Sequence, residues 1–109
     1  MWCKKLTVVI PKCDKAGDPH VGKSVQVVVA RHMADVFGGV TTQEAFGGWI
    51  DVDGKLIEEP VYLVWSCVMA SKVEEIRLFR HWANAYIQEV MKQDAVLSLV
   101  EHVEDVLFF

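Results

Sequence analysis

The spacing of apolar positions changes from segment to segment along the chain, and each change marks an element. Leu6 to Ile10 (LTVVI) is a short β-branched run halted by Pro11, which predicts a first strand. The polar stretch PKCDKAGDPHVGK that follows is rich in turn formers and reads as a loop. From Lys23 the period becomes helical. Val25, Val28, Val29, His32, Met33, Val36 and Phe37 form one stripe, with Gln26, Arg31 and Asp35 on the other face. The valines oppose a helix through their β-branching, but burying the stripe outweighs a propensity deficit of tenths of a kcal/mol per residue. Gly38-Gly39 supplies the C-cap.

Phe37 to Met69 then reads as a long β-hairpin around Asp53-Gly54, a dipeptide suited to a two-residue type I′ turn. That turn sets Val52 opposite Lys55, Ile50 opposite Ile57, Gly48 opposite Glu59 and Phe46 opposite Val61. One face collects Phe46, Ile50, Val61, Leu63, Trp65, Cys67 and Met69 and is the expected core side. The other, with Ala45, Trp49, Tyr62, Val64, Ser66 and Val68, is also apolar. Glu59 falls on the core side unless Glu58-Glu59-Pro60 forms a bulge. Ser71, with Glu74 three residues on, predicts the N-cap of a second helix, striped by Val73, Ile76, Phe79, Ala83, Tyr86, Ile87, Val90 and Met91. Residues 95–109 fit both periods. A strand is favoured there, because without it the first strand lacks a second neighbour.

The order β-α-β-β-α-β predicts an α+β, ferredoxin-like fold: one domain over residues 1–109, a four-stranded antiparallel sheet and two helices on one face. The first and third strands should be central. Their outward sides, Thr7 and Val9 beside Tyr62, Val64, Ser66 and Val68, should form an uncovered apolar surface, and such patches bind something. Trp49, Tyr62, Val64 and Val9 are therefore the interaction candidates, and a two-fold homodimer across the sheet is the simplest occupant.

Composition adds bounds. With 109 residues, 52% of them hydrophobic, the chain can build a core without staples. The net charge of −4 conceals a gradient, since residues 1–34 carry six cations against two aspartates and are basic while the remainder is acidic. A basic end on an acidic body favours a protein partner over nucleic acid. Cys3, Cys13 and Cys67 show neither a disulfide framework nor zinc-ligand spacing, and no apolar run is long enough to cross a bilayer. A cytoplasmic protein with reduced thiols, in a bacterial or phage-infected cell, is the expectation.

The sharpest chemical pattern is Gly17-Asp18-Pro19-His20-Val21-Gly22-Lys23-Ser24, which satisfies the phosphate-loop spacing G-x-x-x-x-G-K-[ST]. In such a loop Gly17 and Gly22 would open the backbone to phosphate oxygens, Lys23 would reach the terminal phosphates and Ser24 would hold magnesium. Its context disagrees: six residues separate it from the preceding strand, and an antiparallel hairpin follows it. An ordinary loop and helix start is the preferred reading, with an anion site at Gly17, Gly22, Lys23 and Ser24 as the alternative. Cys13, Asp14, Asp18 and His20 match no metal-ligand spacing, so neither metal nor cofactor is expected. His32 reads as a hydrogen-bonded core histidine, while His81 and His102 default to the surface. Glu58 and Glu59, adjacent on a strand, point to opposite faces and form no catalytic pair. No nucleophile-base arrangement is readable, which favours a binding protein over an enzyme.

Phe37-Gly38-Gly39-Val40-Thr41, a glycine beside Trp49, Asp53-Gly54, Glu59 and Gln93-Asp94 together resemble a diffuse group of small uncharacterised proteins from phages, plasmids and bacterial genomes. Their pattern runs FGG-x-T, G-x-W, D-G, E and Q-E, with Asp94 here in place of glutamate. The resemblance implies the same βαββαβ fold. A phage-like setting implies a host-directed interaction, for example an anti-defence inhibitor. The alternative expectation is a small-ligand or phosphate-binding protein or enzyme that uses the GDPHVGKS loop or a cavity at the sheet.

Overall fold

The computed structural model describes residues 3–93 and 96–103. Asp94 of the resemblance, and the ends of the chain including residues 104–109, lie outside the described residues. The elements are β1 (Cys3–Pro11), α1 (Pro19–Phe37), β2 (Thr41–Ile50), β3 (Leu56–Met69), α2 (Val73–Met91) and β4 (Ser98–Val103). They form one antiparallel sheet in the order β2-β3-β1-β4. Both helices pack on the same face, so the fold is the ferredoxin-like arrangement, with β1 and β3 central. The final segment does contribute a strand, which pairs with β1 from Cys3↔Val103 to Val8↔Ser98.

α1 begins at Pro19, four residues before the helical period becomes visible in the sequence. Asp18 caps it by accepting a hydrogen bond from the His20 amide at 2.9 Å, and proline suits the first turn, where no amide partner is needed. Gly38 closes it with φ 89°, its amide donating to the Ala34 carbonyl. The buried stripe is Gly22, Val25, Gln26, Val29 and Met33, so the helix is rotated from the expected face and Gln26 lies inside. α2 corrects the capping expectation. Its N-cap is Lys72 without a side-chain bond, because Ser71 belongs to the turn that the Lys72 amide closes onto the Met69 carbonyl.

The hairpin departs most from expectation. The Gly54 amide bonds the Asp51 carbonyl at 3.0 Å and the Asp51 amide bonds the Lys55 carbonyl at 2.9 Å, enclosing the three-residue loop Val52-Asp53-Gly54. The Asp51 carboxylate accepts from the Asp53 and Lys55 amides, both at 2.9 Å, and Gly54 takes φ 77°. This is the three-residue turn with a left-handed glycine, not the two-residue type I′ turn. The extra residue slips the register by one: Ile50 faces Leu56, Gly47 faces Glu59 and Phe46 faces Pro60. Pairing is unbroken through Pro60, so no bulge occurs there, and Glu59 is exposed instead of core-facing.

The β1–β3 register, from Cys3↔Met69 to Pro11↔Val61, joins even positions to even ones. Leu6, Val8 and Ile10 meet Tyr62, Val64, Ser66 and Val68 under the helices, with Val25, Val29, Met33, Phe79, Ala83, Ile87 and Met91 above them. Tyr62 and Val64, expected on the outer face, are 9% and 0% exposed in the core. The face left without a helix carries Thr7, Val9, Leu63, Trp65, Cys67, Met69 and Leu99. Both sides of β3 are apolar, and the choice between them is made by the pairing with β1, whose bulky residues occupy even positions.

Candidate functional site

Three surfaces concentrate the chemistry. The first is the outer half of the hairpin. β1 covers β3 only from Val61 onward, apart from a bond of the Lys12 amide to the Pro60 carbonyl, so β2 and β3 continue beyond the sheet as a two-stranded arm. On this arm Phe46 is 80% exposed, Ile50 62%, Leu56 54% and Trp49 54%. Alternation along the ladder sets Phe46, Ile50 and Leu56 on one side and Trp49 and Ile57 on the other. Asp51 and Asp53 sit at its turn, and Glu58 and Glu59 lie farther back on β3, opposite Gly48 and Gly47. Of the four interaction candidates, then, Trp49 is exposed on the arm and Val9 is half-buried on the open face, whereas Tyr62 and Val64 belong to the opposite, covered side.

The second surface is the open face itself. Trp65 is fixed there from two directions: its indole Nε1 donates to Gln43 Oε1 at 2.9 Å, and the Lys5 ammonium lies 4.4 Å from the ring centroid. Thr7 is flanked by Trp65 and Leu99, while Met69 and Leu99 remain about half exposed. Beside Trp65 the residues Phe37 to Thr41, which include the FGG segment, border a shallow hollow of about 320 Å³ with Ser66 and Cys67.

The third is a polar cluster that sequence spacing alone does not reveal. Gly22 brings α1 so close to the end of β1 that a Cβ there would sit 1.9 Å from the Lys12 carbonyl oxygen. That approach sets Lys12 and Lys23 around Tyr62, their ammonium groups 5.4 and 5.7 Å from the ring centroid. Lys12 also pairs with Glu44 at 2.9 Å. Lys23 donates to Gln26 Oε1 at 3.3 Å, and Gln26 Nε2 donates to Thr42 Oγ1 at 3.0 Å. Periodicity places Gln26 on the wet face, whereas in the fold it is buried on the stripe. The signal that could have placed it is Gly22, one turn earlier on the same stripe.

The phosphate-loop spacing meets a different geometry. Gly17 sits in a turn with φ 87°, its amide bonded to the Asp14 carbonyl, and the Asp18 carboxylate occupies the helix start. Gly22 lies within the helix against β1, and Lys23 and Ser24 are exposed on its first turns. Of the four, Lys23 belongs to the polar cluster directly and Gly22 through the close approach of α1 to the end of β1. Asp14 and Asp18 spend their carboxylates on loop amides, with Asp14 accepting from Ala16 and Asp18. Among the described residues no group of three or more His, Cys, Asp or Glu is arranged to hold a metal. His32 is not a hydrogen-bonded core residue: it is half-buried and stacks on Trp82 at 4.0 Å, and Trp82 in turn stacks with Tyr86 at 5.3 Å. No described helix is long and apolar enough to cross a membrane.

No family model and no curated protein matches the sequence. Solved structures do match in shape. A phage SAM lyase in complex with S-methyl-5'-thioadenosine is similar at TM-score 0.62 and 12% identity, over 93% of this chain and 88% of that one. The periplasmic divalent cation tolerance protein CutA from Archaeoglobus fulgidus is similar at TM-score 0.63 and 10% identity, over 98% and 88%. CutA1 from Oryza sativa is similar at TM-score 0.57 and 10% identity, over 98% and 84%. At these identities the likeness is one of fold.

Proposed function

We propose that the chain is a binding protein that works through the β2–β3 arm and the open sheet face, and that its first partner is another copy of itself. The observation that carries this reading is the arm, which holds Phe46, Trp49, Ile50 and Leu56 outside the core. Complete burial of four such side chains yields about 6–12 kcal/mol gross. Association costs about 4–15 kcal/mol. The arm alone therefore supports weak pairing, and tight pairing requires further surface such as the open face with Met69 and Leu99. In a phage or mobile-element setting the same surfaces would engage a host factor. Light scattering after size exclusion, over a concentration series, tests the reading. Mass should rise with concentration and fall to that of one chain in Trp49→Asp or Phe46→Asp. A wild-type chain that remains monomeric at millimolar concentration would refute it.

A second reading is favoured by the polar cluster. There an aromatic ring, two ammonium groups, a buried amide and a carboxylate converge within one end of the fold, a donor and acceptor set suited to a small polar ligand. The similar phage lyase suggests which ligands to try first: S-methyl-5'-thioadenosine and SAM. Thermal shift with these compounds and with nucleotides tests it, because a ligand at 100 times its Kd stabilises by about 2.7 kcal/mol. A shift abolished in Lys23→Ala or Gln26→Ala, or conversion of SAM to S-methyl-5'-thioadenosine, would support this reading. No shift at millimolar ligand would retire it.

A further inference from the structure

On the helix side of the sheet, between α2 and β4, lies an open groove of about 650 Å³. Its walls include the apolar Val73 and Val100, and its rim carries Lys4, Arg77, Arg80 and His81. Arg80 is held in place by bonds to Ser98, from Nε to the hydroxyl at 2.9 Å and from a terminal nitrogen to the carbonyl at 3.2 Å. Arg77 is ion-paired with Glu74 on the same helix, so the rim's uncompensated positive charge comes from Lys4 and Arg80, around an apolar depression. The arm has the reciprocal composition, with Phe46, Ile50 and Leu56 on one side, Asp51 and Asp53 at the turn, and Glu58 and Glu59 farther back along β3 opposite Gly48 and Gly47, against the single cation Lys55.

We propose that this groove receives the β2–β3 arm of a second copy of the chain, an inference that rests on the self-association reading above and names its seat. The contact has to be between molecules. The arm leaves the sheet past Pro11↔Val61 at the β2 edge, whereas the groove lies by Lys4, opposite Val68, at the β4 edge. Seven residues of strand, about 23 Å, separate the two levels, and β1 intervenes between β3 and β4. Arm and groove are different surfaces, so the contact is heterologous, and repeating it closes a ring or extends a filament.

The test uses the full chain in sedimentation and light scattering at moderate salt. Arg77→Glu with His81→Glu reverses the rim on the exposed side of α2, and Asp53→Lys with Glu58→Lys reverses the arm. Circular dichroism first establishes that both remain folded. Each variant alone should associate at least tenfold more weakly than wild type. Their equimolar mixture should recover association, because the reversed arm of one matches the reversed groove of the other. If the groove variant associates like wild type while Trp49→Asp is monomeric, the groove is not the seat and self-association proceeds elsewhere. A wild-type chain without any association overturns both readings. Stabilisation by citrate that is lost in the groove variant, with no association, assigns the groove to a small anion instead.

Discussion

Gly22→Ala probes the contact on which both the core and the polar cluster depend. The added Cβ would lie 1.9 Å from the Lys12 carbonyl oxygen, 2.3 Å from its carbon and 2.8 Å from the Pro11 oxygen, where ordinary contact begins at 3.4 Å. All three neighbours are backbone, so no side chain can swing away, and the helix and the strand end must separate by about 1.5 Å, the shortfall from 1.9 to 3.4 Å. Val25 and Val29, on the same stripe and fully buried, would be lifted with it. Overpacking of this kind costs about 1–3 kcal/mol and sometimes more. Alanine recovers up to about 1 kcal/mol in a helix interior. The strand end is wedged by backbone, which places the clash at the upper end of its range, and the expected net destabilisation is about 2 kcal/mol. For a domain of this size that lowers the melting temperature by about 8–16 °C. Urea unfolding followed by tryptophan fluorescence, with a thermal scan, measures it. A midpoint equal to or above wild type would refute the reasoning, since glycine would then be there for no steric purpose.

Other expectations follow from the same geometry. Val64→Asp buries an uncompensated charge in the core and should unfold the chain, whereas Trp49→Asp on the arm should leave the stability of one chain within about 0.5 kcal/mol, both read by urea midpoints. Asp18→Ala removes the cap on α1 and should cost about 1 kcal/mol in the same assay. The hydrogen bond from Arg77 holds the Glu74 carboxyl below the usual carboxylate range, and Glu74 in turn raises Arg77. Because the folded-state value is depressed, the pair contributes above the unfolded carboxylate pKa and its contribution is lost as pH falls through the folded one. In Arg77→Ala the Glu74 titration, followed by carboxyl carbon shifts, should move up toward the ordinary range. An unmoved midpoint would mean the pair does not persist in solution.

Local signals carried the element order. The β-branched run before Pro11, the helical stripes, Gly38 as a left-handed cap and the glycine turn at Gly54 each follow from short-range sterics and burial, and together they fix βαββα, while the last strand rests on the need of β1 for a second neighbour. The candidate site was less legible. The hairpin pattern places Trp49 on an exposed surface but sends Tyr62 and Val64 outward, and Gln26 escapes it because a polar side chain on a helix defaults to solvent. The G-x-x-x-x-G-K-S spacing spans the turn at Gly17 and the first turns of α1. Its Gly22 is needed to let a helix approach a strand end, a requirement that sequence spacing cannot distinguish from ligand binding.

By itself, then, the chain determined the helices and the first three strands, because each depends on neighbours a few residues away, whereas the last strand is set by its pairing with β1. Tertiary structure decided which of two apolar faces of β3 is covered. One residue in the Val52-Asp53-Gly54 turn slips the register with β2, and the even-to-even pairing with β1 turns Tyr62 and Val64 inward and Trp65 outward. It also decided that Lys12, Lys23, Gln26, Thr42 and Glu44 meet around one tyrosine. Residues from three elements converge there only because the sheet order sets β3 between β2 and β1 and a missing Cβ lets α1 close on the end of β1.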